Sequence, residues 1–337
     1  MRSTHEPPHL RHDSLAARTV FVAPERAGRP NELAGDRLDC PFCAGNEAAT
    51  PPDTLRGPTD ASEPWVARIV PNRFPVVSLP GEPRAGSAAG PVGLPARGVH
   101  EVVIESPAHV RGVLDVEPTG WRESWSLVRR RLAQLADDET IVWATVFKNS
   151  GKLAGASLEH VHSQLVGLAF VPPTIHAEAA ALAADHAPGR DAFGAMVARA
   201  QSEGRCVEHH GGLVALVPEA PRQPFETWIV PSSPQAYLHE ADSMRIGALA
   251  ALTRSFVHRL EHVLPNTDFN WWLHQPPFRD GRGRGGSGVS TGWRWHLEIL
   301  PRINGLAGFE LGTGCHITTM TPEESARLLR DAPAGPP

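Results

Sequence analysis

The sequence predicts a mixed α/β protein, of the α+β kind, in which a strand-strand-helix-strand unit occurs twice. Three observations carry that prediction. Short apolar runs bounded by Pro, Gly and Ser recur along the chain. Two segments with apolar residues at helical spacing, Ser124 to Asp138 and Asp242 to Leu264, occupy matching places in the two halves. Polar pairs on alternate positions close each half, His160 and His162 in the first, His296 and Glu298 in the second.

Taken in order, Arg18 to Pro30 reads as a short strand and a Pro/Gly-bounded loop. Trp65 to Ser78 and Gly98 to Val110 read as strands. The Pro/Gly/Ala-rich stretch between them, Pro80 to Gly98, is expected to be a surface loop. The helix of Ser124 to Asp138 follows, then a strand in Thr140 to Gly151. That strand leads to LEHVHSQLVG, Leu158 to Gly167, which also reads as a strand. Successive strand side chains point to opposite faces, so His160, His162 and Gln164 are expected to share one face. His176 to Gly204 is helical in propensity with a break near Pro188 and Gly189. Gly211 to Gln235 repeats the pattern of strand, proline turn and strand, and Asp268 to His274 and Gly292 to Arg302 supply two more strands after the second helix. The Gly/Arg segment Arg279 to Gly292 lacks the Gly-Lys-Ser/Thr ending of a phosphate-binding loop and is expected to be a mobile loop.

Composition excludes several classes. With 337 residues, 41% hydrophobic and 20% charged, and a net charge of −5, the chain reads as an ordinary soluble globular protein with no expectation of a nucleic-acid partner. No apolar run approaches the roughly 20 residues that span a bilayer, and the opening MRSTHEPPHLRHDS lacks the apolar core of a secretory signal. The expected location is the cytoplasm, with no membrane partner. Four cysteines do not make a disulfide framework. Cys40 and Cys43 form C-x-x-C, and Pro41 between them with AGNE after them fits a zinc knuckle better than a thioredoxin-type site. Cys206 and Cys315 are expected to be small buried side chains.

A structural zinc site wants four thiolate or imidazole ligands. Cys40 and Cys43 supply two, and the rest must be histidines brought in by the fold, with His109 and His160 as candidates among 17. An imidazole can also attack phosphorus and hold a nucleotidyl group as a phosphoramidate, if its other nitrogen is held in one tautomer. His162 is the candidate nucleophile. Gln164, on the same face, could donate its amide to a phosphoryl oxygen as charge develops. Asn149, Ser150 and Ser157 add polar groups in a glycine-rich stretch where backbone can approach a ligand.

The strings CPFCAGNE, VPNRFP, HEVVIESPAH, FKNSGKLAGASLEHVHSQL, PFETWIVP and WHLEILPRINGLAGFELGTG occur in that order. Together they resemble the galactose-1-phosphate uridylyltransferase family of the histidine-triad superfamily, from about Arg18 to Glu324. The resemblance implies two histidine-triad-like halves, 18–175 with the zinc knuckle and nucleophile and 176–325, forming a mostly antiparallel sheet with packed helices. Residues 1–17 are then a disordered or extended segment and 326–337 a tail. By the same resemblance, His162 is the nucleophile and Gln164 contacts the transferred phosphoryl group. Zinc falls to Cys40, Cys43, His109 and His160. Asn72, Asn149 and Ser157 match positions that hold the nucleotide, and Phe309 and Glu310 match an aromatic-glutamate pair on the hexose. A second metal, iron or zinc, would fall to Glu178, His274, His296 and Glu298. This chain departs from the family in Glu298, which replaces a histidine, in Val161, which replaces the proline between the two histidines, and in Asn304, which replaces a hexose-side lysine of some relatives.

The activity implied is transfer of UMP between hexose 1-phosphates, UDP-glucose with galactose 1-phosphate, by a ping-pong route through a nucleotidyl-histidine. A phosphorylase or adenylyltransferase acting on ADP-sugars uses the same histidine and is the alternative. A non-catalytic nucleotide-binding module is disfavoured because both His162 and Gln164 are present, and a simple dinucleotide hydrolase would need water in place of the acceptor. The partners implied are a nucleotide sugar, a hexose 1-phosphate and a second copy of the chain in a homodimer.

Overall fold

The structure, a computed structural model, describes residues 7–13, 15, 18–28, 40–60, 62–78, 94–184, 191–279 and 292–335. Most of the Pro/Gly/Ala-rich loop and of the Gly/Arg segment expected from the sequence, and the expected helix break near Pro188 and Gly189, lie outside those residues. The first half contains β1 (His9–Asp13), β2 (Arg18–Val22), β3 (Leu55–Gly57), β4 (Ala67–Pro71), β5 (Leu94–Pro95), β6 (Gly98–Ile104), α1 (Pro118–Asp137), β7 (Trp143–Ser150) and β8 (His162–Leu168). Two helices, α2 (Pro173–Ala184) and α3 (Ala192–Ser202), lead to the second run: β9 (Cys206–His210), β10 (Leu213–Leu216), β11 (Thr227–Pro231), α4 (Ser243–Val263), β12 (Phe269–His274) and β13 (His296–Pro301). The chain continues through α5 (Gly308–Thr313) and α6 (Pro322–Asp331).

Ten strands form one sheet in the order β3-β4-β6-β8-β7-β12-β13-β11-β10-β9, paired antiparallel throughout. The order is a mirror about its centre: β4-β6-β8-β7 on one side, β10-β11-β13-β12 on the other. Each side has its long helix between its second and third strands in the chain. A small second sheet, β2-β1-β5, packs Leu10 and Phe21 against the cluster that includes Trp143 and Leu168.

Helix α1 buries Trp121, Trp125, Val128, Leu132 and Leu135, a stripe at spacings of three and four that faces the sheet. It begins at Pro118, earlier than the Ser124 expected from periodicity. Proline suits the first helical turn, where its missing N–H would have had no partner, so a residue that usually signals a break opens the helix instead. In α4 the Asp242 carboxylate accepts a bond from Arg245 N at 2.7 Å and caps the N-terminus. Both helices cover the sheet face formed by Val103, Val146, Leu165, Trp271 and Ile299, which share one buried cluster with Trp121 and Trp125. Each such side chain stabilises the fold by roughly 1.5–3 kcal/mol.

Strand alternation then sends the intervening residues to the opposite face. His100 and Val102 of β6, His162 and Gln164 of β8, His274 of β12, and His296 and Glu298 of β13 all lie there. One expectation needs correcting. Strand β8 starts at His162, so His160 does not share its pleat; the chain bends at Leu158 to Val161, where Val161 N donates to Val110 O at 2.8 Å. That bend frees His160 to reach the cysteine knuckle.

Candidate active site and metal clusters

The knuckle is a tight turn with Cys43 N donating to Cys40 O at 3.3 Å, and the Asn46 side-chain amide donates to the same carbonyl at 2.9 Å. Ala44 N donates to Pro107 O at 2.9 Å and so ties the turn to the loop after β6 that carries His109. Ligand atoms of Cys40, Cys43, His109 and His160 all lie within 4.8 Å of one another. His160 Nδ1 is 3.5 Å from Cys40 Sγ and 3.6 Å from Cys43 Sγ, and His109 Nδ1 is 3.5 Å from Cys43 Sγ. A tetrahedron with metal–sulfur bonds of about 2.3 Å and metal–nitrogen bonds of about 2.0–2.1 Å has S···N edges of about 3.5 Å. The four residues therefore already stand at the separations that a zinc-sized ion requires.

The second nitrogen of His160 fixes its tautomer. Nε2–H donates to Ser106 O at 2.9 Å, which turns the Nδ1 lone pair toward the thiols. Burial holds the His160 imidazole down at about 4, so it stays neutral, as a ligand must. Burial and the neighbouring Cys40 push the Cys43 thiol up to about 11 when no metal is bound. Two thiols and two imidazoles packed this closely, with the imidazole neutral, make a donor set that could hold a metal ion, whose charge would offset the cost of removing the thiol protons.

His162, two residues after His160, opens β8. Its Nδ1–H donates to His160 O at 2.7 Å, so Nε2 carries the lone pair. The side chain lines a cavity of ≈ 140 Å³ together with Gln164, Asn72 and Ser157. Phe42 of the knuckle and Phe74 of the turn after β4 wall it, the Phe42 ring lying 5.5 Å from that of His162. Asn72 shapes that turn, its Oδ1 accepting from Phe74 N at 2.8 Å.

Gln164 is oriented by a residue the sequence did not single out. Val76 N donates to His100 Nδ1 at 3.1 Å, which leaves the ring proton on Nε2, and Nε2–H donates to Gln164 Oε1 at 3.0 Å. The Gln164 amide hydrogens are thereby on the other arm of the side chain. His100 alternates with Val102 and Ile104 in HEVVIESPAH, which places it on a face, but its partner lies on another strand and no local pattern names it.

The second cluster joins α2, β12 and β13. Ligand atoms of Glu178, His274 and His296 lie within 4.8 Å of one another. His274 Nδ1 is 2.9 Å from Glu178 Oε2, and His296 Nε2 is 3.4 Å from Glu178 Oε1. Both nitrogens are buried without the alignment of a hydrogen bond. His296 Nδ1–H donates to Arg294 O at 3.2 Å, so Nε2 carries that ring's lone pair. Two imidazoles and a carboxylate suit zinc or iron. Glu298 approaches His274 Nδ1 at 3.2 Å and His296 Nε2 at 3.5 Å, but its other oxygen is bound by Arg222, which also pairs with Glu226 and stacks over Trp272. Burial would raise the Glu298 carboxyl; the His296 and His274 rings and Arg222 outweigh it and hold it at about 2.

Three expected substrate residues lie elsewhere. Asn149 is at the β7–β12 junction, where its Oδ1 accepts from Asn270 Nδ2 at 2.8 Å, and it does not line the cavity. Phe309 is half exposed in α5, and Glu310 accepts from Ala307 N at 3.0 Å as the cap of its own helix. Neither meets His162 within the chain's own cavity. Two cysteine expectations are corrected as well: Cys315 is exposed and Cys206 only partly buried. Cys315 belongs to the segment after β13 that leaves the sheet, so no apolar layer covers it.

No family model matches the chain. An ADP-glucose phosphorylase of Arabidopsis thaliana is 30% identical over 340 residues, which covers 97% of this chain and 93% of the relative. A galactose-1-phosphate uridylyltransferase of Thermotoga maritima is 24% identical over 331 residues, covering 96% of this chain and 98% of the relative. Among solved structures, that of an ADP-glucose phosphorylase from Arabidopsis thaliana with bound ADP-glucose matches with a TM-score of 0.75 at 29% identity, over 96% of this chain and 99% of the other. An identity of this size along almost the full length of both chains, with the same fold, shows that this chain belongs to the galactose-1-phosphate uridylyltransferase family of the histidine-triad superfamily, alongside ADP-glucose phosphorylase.

Proposed function

We propose that the chain moves an adenylyl group from an ADP-sugar to inorganic phosphate through a covalent adenylyl-His162. The observation that carries the chemistry is the His162 ring, held in one tautomer by the His160 carbonyl, in the same cavity as Gln164. Nε2 attacks the α-phosphorus of ADP-glucose. The Nε2–P bond forms as the bond from that phosphorus to the bridging oxygen breaks, and glucose 1-phosphate leaves with the electron pair. Phosphate then attacks the same phosphorus, the P–N bond breaks toward Nε2, and ADP departs. The Nδ1 proton stays in place throughout, and the His160 carbonyl stabilises the positive charge that the ring acquires. The Gln164 amide is the donor suited to the phosphoryl oxygen as its charge grows.

Adenylyl is preferred over uridylyl because the relative at 30% identity is an ADP-glucose phosphorylase. This reverses the order that the sequence alone gives. The 24% relative keeps a second reading in play, UMP transfer between UDP-glucose and galactose 1-phosphate by the same two displacements. The cavity walls named above are apolar rings and short polar groups, which do not distinguish the two bases.

In this reading Cys40, Cys43, His109 and His160 hold zinc. When bound, zinc supplies folding free energy and fixes the backbone that leads into His162. Glu178, His274 and His296 would hold the second metal. The exposed segment carrying Leu306, Phe309 and Leu311 supports a homodimer in which that segment meets the hexose in the partner's cavity. The test is intact-protein mass spectrometry after mixing with ADP-glucose and, separately, UDP-glucose. An adenylyl adduct discharged by phosphate supports the phosphorylase. A uridylyl adduct discharged by galactose 1-phosphate supports the second reading, and no adduct with either sinks both.

A further inference from the structure

Behind the nucleophile, on the helix side of the sheet, sits a charged group that the proposed chemistry does not use. Lys148 is 2% exposed and Glu105 is 2% exposed, and the two form an ion pair. Lys148 Nζ also donates to the carbonyl oxygen of His162 at 2.9 Å. The other oxygen of Glu105 accepts from Ser163 Oγ at 2.5 Å. The ammonium lies 5.7 Å from the Trp121 ring and 5.6 Å from the Trp271 ring, so two aromatic faces flank it.

The sheet explains why a side chain is needed here. The pairs between β7 and β8 run from Trp143–Leu168 to Phe147–Gln164, and beyond them β7 pairs only with β12, through Lys148–Trp271 to Ser150–Phe269. His162 therefore stands past the end of the β7–β8 ladder. Lys148 is the first β7 residue past that last pair, and its ammonium occupies the gap where the two strands diverge.

Stability does not account for the pair. Removing two charges from water costs several kcal/mol per ion, and apolar residues of similar volume in place of a buried pair are often neutral or stabilising. What the pair does provide is a grip on both sides of one peptide unit, the His162 carbonyl and the Ser163 hydroxyl. We infer that the Lys148–Glu105 pair is a positioning device that fixes the His162–Ser163 peptide and, through it, the nucleophile. It rests on His162 being the nucleophile. The ring is then held twice, by the His160 carbonyl at Nδ1 and by Lys148 at its own backbone. A displacement of about 1 Å at a reacting group costs on the order of 100-fold in rate, which sets the scale of the effect.

The test compares wild type, Lys148→Met and the double variant Lys148→Met with Glu105→Leu. The single variant leaves Glu105 unpaired and is expected to lose stability; the double variant restores an apolar core and is expected to melt near the wild type. Two readouts follow. The first is the rate of adenylyl adduct formation with ADP-glucose, measured in single turnover against concentration. The double variant is expected to be about 10- to 100-fold slower at saturation with little change in the half-saturating concentration. The second is the Nδ1–H signal of His162 in protein labelled with 15N-histidine, which is expected to lose the single well-defined tautomer of the wild type. A double variant with wild-type melting, wild-type rate and an unchanged His162 signal would overturn the inference. Failure of the nucleophile reading shows separately, as a wild type that forms no adduct; the ring signal then still decides whether the pair positions His162.

Discussion

His162 Nδ1 lies 2.7 Å from the carbonyl oxygen of His160, so the histidine in the cavity is oriented by the backbone of the histidine that faces the thiols. The two side chains face different partners because the chain bends between them. His160 points to thiols and His162 to the cavity that also holds Gln164.

Replacing His162 by Ala is expected to abolish the adduct and lower turnover by at least about 1,000-fold, because no other group takes over covalent storage. His162→Gly leaves a hole into which added imidazole can bind, and part of the activity is expected to return. An Ala variant that still forms the adduct, seen by intact mass, would remove His162 from the mechanism.

Gln164→Ala is expected to slow adduct formation by about 100- to 1,000-fold, the loss typical of a donor that meets charge only in the transition state. His100→Ala acts through Gln164, so a smaller loss is expected, and the double variant should be no slower than Gln164→Ala alone. Additive losses in that cycle would mean that His100 has a task of its own.

Metal removal by a chelator, or Cys40→Ser, is expected to lower the melting temperature more than it changes the chemical step, since a structural zinc contributes folding free energy. Protons compete for thiolates and imidazoles, so affinity should fall as pH falls, and a chromophoric chelator titrated from pH 8 to pH 5 reads the release. Equal melting temperatures with and without metal would contradict a structural role.

His296→Ala is expected to reduce the metal content from two ions per chain to one, the thiol cluster keeping its ion. Glu298→Gln is expected to leave it at two, because Arg222 already holds that carboxylate and Glu178, His274 and His296 converge without it. Elemental analysis of the purified variants decides; a loss of metal in Glu298→Gln would make Glu298 a ligand.

The exposed segment around Phe309 predicts subunit complementation. His162→Ala lacks a nucleophile but has an intact segment, and a Phe309→Ala, Glu310→Ala variant has the reverse. If the segment serves the partner's cavity, mixing the two inactive proteins under exchange should restore activity, up to about a quarter of wild type for random pairing of two halves. No restoration, with mixed dimers demonstrated by mass, would place Phe309 and Glu310 outside the site.

Most elements were legible because their periods are local. The stripe of Trp121, Trp125, Val128 and Leu132 needs only neighbours three and four residues apart to be seen, and the alternation of His162 with Gln164 needs only a strand. The exceptions share a cause. Pro118 opens α1 because its effect depends on whether a helix follows, and Cys315 is exposed because the chain leaves the sheet before it. His100 was missed because its partner, Gln164, is 64 residues away along the chain.

By itself the sequence determined the repeated strand-strand-helix-strand order, the thiol pair at Cys40 and Cys43, and the family likeness that selects His162 among 17 histidines. Those features are set by composition and short-range spacing. Only the tertiary structure decided which histidines stand at 3.5 Å from the thiols, that Arg222 holds Glu298, that His100 orients Gln164, and that Lys148 reaches the backbone carbonyl of His162. Each of those is a contact between strands or loops distant in the chain. Its distance is fixed by sheet register and by the packing of α1 and α4, which no local pattern records.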